Sequence, residues 1–105
     1  MTEAMKIRAT LQGDTAELRV LIKHPMETGT RKAAGGIVPA HFIQSLVVQY
    51  NGKTVFDAQW SQSVSRDPLL GLRVRGARAG DRISITWVDN RGDRRTDEAL
   101  VMAGP

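Results

Sequence analysis

The chain has 105 residues, no cysteine, and 15 basic against 11 acidic side chains, a formal net charge of +4. A chain of this length is expected to build one domain, over residues 1–105, around one hydrophobic core. The missing thiols exclude disulfides, thiolate metal sites and covalent chemistry on a cysteine of this chain. No apolar run approaches the roughly 20 residues of a membrane-spanning helix.

The dominant sequence period is two, and the apolar runs are bounded by Gly, Asp, Asn and Pro, the pattern of short strands. Residues 5–11 read as a first strand, and Gly13-Asp14 turns the chain. Over residues 16–23, Leu18, Val20 and Ile22 share one face and Glu17, Arg19 and Lys23 the other, with Leu21 breaking the polar face. Residues 41–50 are the most apolar stretch and end at Asn51-Gly52, a dipeptide that favours a tight hairpin because both turn positions want positive φ. The return strand, 53–60, places Phe56, Ala58 and Trp60 on one face. After Asp67-Pro68, residues 69–75 put Leu72 and Val74 inward and Arg73 and Arg75 outward. Residues 82–88 alternate with Ile83, Ile85 and Trp87 inward, Asn90-Arg91-Gly92-Asp93 turns, and residues 94–102 form the last strand. About seven short strands at this spacing predict an all-β, immunoglobulin-like antiparallel β-sandwich. Trp87 and Trp60 are the expected large core residues.

Residues 24–40, HPMETGTRKAAGGIVPA, show no usable period. A connection this long in a compact domain is usually functional or disordered, so it is the first place to seek a site. His24 and His41 flank it, and a metal site with Met26 or Glu27 can be imagined. Three or four ligands in fixed geometry are needed, however, and the sequence shows no such cluster. Hydrogen-bonded histidines at the loop ends are expected instead, with no metal and no cofactor. None of the serines sits in a G-x-S-x-G elbow or beside an evident base and orienter, so no catalytic residue is assigned and the chain is not expected to be an enzyme.

Eleven of the 15 cations are arginine. Arg73, Arg75, Arg78 and Arg82 gather around one turn, which suits either an anionic contact or a solvated edge strand. Arg91-Gly92-Asp93 matches an adhesion tripeptide but is what a turn requires for backbone reasons. Leu21, Ile43 and Val47 fall opposite the inward residues of their strands. They predict an exposed apolar patch, a mark of a partner surface, unless the register is shifted.

The long connection also carries a resemblance. His24-Pro25-Met26-Glu27-Thr28-Gly29, Arg31-Lys32, Ile37-x-Pro39-x-x-x-Ile43, Tyr50-Asn51-Gly52-Lys53-x-Val55-Phe56, Asp67-Pro68 and Thr86-Trp87-Val88-Asp89 follow in the order and spacing of a known family. From about Arg19 to Leu100 the chain resembles the Z subunits (SoxZ) of the bacterial sulfur-oxidation (Sox) carrier complex. Where this chain has Ala33-Ala34-Gly35-Gly36, the family is more polar. The resemblance implies a small, non-catalytic β-sandwich. Its partner would be a Y subunit (SoxY) whose C-terminal cysteine arm carries the sulfur intermediates of thiosulfate oxidation. It also implies transient contacts with other Sox enzymes, no membrane contact, and a periplasmic location reached with the partner. Met1 to Gly13 shows no secretory signal, which taken alone argues for the cytoplasm.

On this reading the partner surface comprises His24, Pro25, Met26, Glu27, Thr28, Gly29 and Arg31 of the loop, with Leu21, Ile43 and Val47 of the strands. Replacing Leu21 or Val47 by Asp is expected to weaken pairing without unfolding the chain. The alternative is a basic β-module for nucleic acid or another polyanion, whose affinity would fall steeply with salt and depend on Arg73 and Arg75.

Overall fold

The computed structural model describes residues 2–104. The strands are β1 (Lys6–Gln12), β2 (Thr15–Leu21), β3 (Lys32–Ala33), β4 (Gly36–Ile37), β5 (Ile43–Tyr50), β6 (Lys53–Gln59), β7 (Leu69–Arg75), β8 (Arg82–Asp89) and β9 (Arg94–Leu100). Every strand pairing is antiparallel. One sheet has the order β1-β2-β7, the other β6-β5-β8-β9, and β3 and β4 form a small hairpin inside the long connection. The expected sandwich is therefore present, and its seven long strands match the sequence reading.

Alternation builds the core. Leu18 and Val20 of β2, Leu46 and Val48 of β5, and Ile83, Ile85 and Trp87 of β8 are buried and face one another between the sheets. Phe56 and Trp60 pack at its margin, partly exposed, as do Leu70, Leu72 and Val74 of β7. The β5–β6 turn has φ of 50° at Asn51 and 83° at Gly52, the left-handed pair that a two-residue hairpin needs. On one flank the C-terminal segment laces the sheets together: Leu11 N–H donates to the Met102 carbonyl and Met102 N–H to the Ala9 carbonyl.

One expectation is overturned. Ile43 does not lie on an outer face; it is fully buried. The β5–β8 register slips between Ile43 and Ser45. A bulge inserts one extra residue, so Ile43 turns inward although its sequence parity matches that of outward Val47. Leu21 and Val47 do face outward, but from different sheets. Leu21 lies on the three-stranded sheet and Val47 on the four-stranded one, so the three residues form no common patch.

Candidate functional site: the clasp beneath the long loop

The connection from β2 to β5 is ordered by a set of anchors. Glu27 and His41 form a β-bridge, with N–H to carbonyl distances of 2.7 and 3.0 Å in the two directions. Arg31 closes on Glu27 through its Nε and Nη2, the shortest contact being 2.6 Å. This pair is solvent-accessible. The hydrogen bond from Arg31 holds the Glu27 carboxyl below its ordinary value. Thr28 accepts from the Thr30 N–H, an ST-turn that shapes the tip. Gly29 has φ of 87°, and a Cβ there would meet the Ala40 Cβ at 3.2 Å, so the turn requires glycine.

Below this loop the structure brings together three side chains. His24 and Asp89 are almost wholly buried, and His41 lies partly exposed above them. The His24 Nε2 lies 3.0 Å and the His41 Nε2 2.8 Å from the same Asp89 oxygen, Oδ2. The other oxygen, Oδ1, accepts the N–H groups of Arg91 and Asp93 at 3.0 and 2.9 Å. The Arg91-Gly92-Asp93 tripeptide is thus the turn that caps Asp89. Burial raises the Asp89 carboxyl, but its four hydrogen bonds outweigh that effect and hold it below its ordinary value. For His24, burial dominates and lowers the imidazole despite the Asp89 contact. The His24 ring also stands edge-on to Trp87, with centroids 5.1 Å apart.

The three potential ligand atoms of this cluster lie within 4.8 Å of one another, close enough to ask whether they hold a metal ion. The proton placement answers the question. The Met26 N–H donates to His24 Nδ1 at 3.1 Å, so Nδ1 carries a lone pair and the neutral ring keeps its proton on Nε2, pointing at Asp89. A metal at Nε2 would force the proton onto Nδ1, against the Met26 N–H. The donor set fits a hydrogen-bonded clasp, as expected for the loop-end histidines, and does not fit a metal. An open cavity of about 300 Å³ lies beside the clasp, with Lys23, Pro25, Arg66 and Asp67 on its wall.

The sequence reading did not place Asp89 in a site. The signal was present: Ile83, Ile85, Trp87 and Asp89 follow one alternation, which puts a carboxylate on the buried face of β8. Met26 is buried at φ of 47°, and its Sδ accepts the Ile43 N–H at 3.4 Å. It therefore belongs to the core rather than to a docking surface. Pro25 and Thr28 are exposed, Glu27 and Gly29 are half-buried, and Arg31 is exposed. Of the four clustered arginines, Arg73 and Arg75 face out from the three-stranded sheet, whereas Arg82 faces out from the other.

Comparison with solved structures shows the same fold in superoxide reductases (neelaredoxins). A reduced-form variant from Archaeoglobus fulgidus superposes with a TM-score of 0.61 at 18% identity, covering 96% of this chain and 90% of that one. The enzyme from Ignicoccus hospitalis gives a TM-score of 0.61 at 14% identity, covering 97% and 81%. At these identities the likeness is one of fold. No curated protein matches the chain. The family model for the sulphur oxidation protein SoxZ matches residues 5–100, nearly the whole chain, which includes the loop, the clasp and both sheets. The chain belongs to the SoxZ family of sulfur-oxidation proteins.

Proposed function

We propose that this chain is the non-catalytic half of a heterodimeric sulfur carrier. It pairs with a SoxY-like subunit and presents that subunit's cysteine arm to the enzymes that load and strip the sulfur. The observation that carries this reading is the family match over residues 5–100. The clasp supplies physical support. A loop pinned at Glu27, His41 and Asp89 is a pre-organised surface, which lowers the ordering entropy lost on association. The mechanism is supportive: the reacting sulfur sits on the partner, and this chain contributes shape and charge. The complex works in the periplasm.

The test is an intact-complex mass of the chain recovered under native conditions from its source. The expected result is a one-to-one assembly with a small protein bearing a cysteine near its C-terminus, with added sulfur mass on that thiol. A lone 11.5 kDa chain, or co-purification with nucleic acid, overturns the reading.

A further inference from the structure

The register of the three-stranded sheet arranges its outward side chains in four rows. From β1 through β2 to β7 they read Lys6–Leu21–Leu69, Arg8–Arg19–Gly71, Thr10–Glu17–Arg73 and Gln12–Thr15–Arg75. Five exposed cations thus share one face with a single carboxylate, Glu17, which Arg19 meets at 3.3 Å. Lys6, Arg8, Arg73 and Arg75 make no ion pair among the described residues. Arg8 stands directly across from Arg19, and like charges opposite one another destabilise a sheet. Gly71 beside them leaves a shallow dip. At one end the face turns apolar, where Leu69, 69% exposed, adjoins Leu21. The outer face of the four-stranded sheet differs: Ser45, Val47 and Gln49 lie beside Val88, Thr86 and Ser84 as an uncharged centre, and around it the cations Arg82 and Arg94 are accompanied by the carboxylates Asp57 and Glu98.

We infer that the outer face of β1-β2-β7 is the docking surface for the partner subunit, and that the partner meets it with an acidic face carrying an apolar side chain opposite Leu21 and Leu69. This rests on the carrier reading above. Charge complementarity selects an acidic partner, and anions set between Arg8, Arg19 and Arg73 would relieve the like-charge contact. The apolar end selects a protein over a nucleic acid, because a phosphate backbone leaves Leu21 and Leu69 uncovered. The rows hold no aromatic side chain on which a base could stack. Leu21, the last residue of β2, leads directly into the clasped loop.

The test uses the complex coexpressed with its SoxY-like subunit, with dissociation constants read at low and high NaCl. The Arg8→Glu/Arg73→Glu double variant and Leu69→Asp should each weaken pairing by about tenfold or more, and added salt should weaken the wild type. Gln59→Asp, at an exposed edge position of the opposite sheet, should leave affinity unchanged. All substitutions are at outward positions, and a thermal melt of each isolated variant reports its folding. Unchanged affinity in the first two variants, or loss of pairing in Gln59→Asp, overturns this surface while the carrier reading stands. Absence of pairing by the wild-type chain overturns both. A labelled DNA duplex bound by the wild type and released by the arginine variants, with pairing intact, marks a nucleic-acid face and overturns the assignment.

Discussion

Asp89 shows how much one side chain organises here. Its two oxygens accept four hydrogen bonds, two from histidines and two from the backbone of the β8–β9 turn. Asp89→Asn keeps the shape but turns one end into a donor. If the amide oxygen serves the backbone, its NH₂ faces His24 Nε2–H, and His24 cannot change tautomer because Nδ1 accepts from Met26. The substitution should cost about 2–4 kcal/mol, the range for breaking a buried charged network. Urea unfolding checks this, and a loss below 1 kcal/mol would show that the turn caps itself.

The histidine adds a pH dependence of known sign. Burial holds His24 below its ordinary value, so the unfolded chain binds protons that the folded chain does not. Its contribution is whole above the unfolded value of 6.5 and is lost as the pH falls below it. Asp89, held low, adds a second loss at more acid pH, by the same sign. Denaturation midpoints of the wild type should fall on going from about pH 7.5 to about pH 5, and those of His24→Gln should fall less. Equal slopes for the two proteins would remove His24 from the account.

At the scale of elements, the bulge in β5 decides which residues belong to the core. Ile43→Ala should cost about 2–5 kcal/mol, as for other buried aliphatic truncations, whereas Val47→Ala should cost well under half of that. Equilibrium unfolding of the two variants compares them directly, and equal costs would place Ile43 outside the core. Strict alternation misplaced Ile43 because a bulge leaves no mark in the hydropathy pattern: it depends on how β5 meets β8, a non-local pairing. The hairpins were legible for the opposite reason. Asn51-Gly52 and Gly13-Asp14 set their turns by local backbone preference alone. The β3–β4 hairpin escaped the pattern because two-residue strands are shorter than the period that reveals strands.

Over the whole molecule, charge is segregated by topology. The sequence alternates Arg73 and Arg75 with apolar residues, and Lys6 and Arg8 likewise, but only strand order brings β1, β2 and β7 side by side and sums their cations on one face. The carrier assembly and the docking surface stand or fall at this scale, through the native mass and the charge-reversal variants described above. The sequence by itself determined the sandwich, its turns, most of its inward positions and its family, because these follow from period-two patterning, local turn chemistry and ordered motifs. Tertiary structure decided the inward turn of Ile43, the meeting of His24, His41 and Asp89 across 48 and 65 residues of chain, and the basic face. Each of these depends on which distant strands pair and in what register, and that is fixed by burying the common core rather than by any local preference.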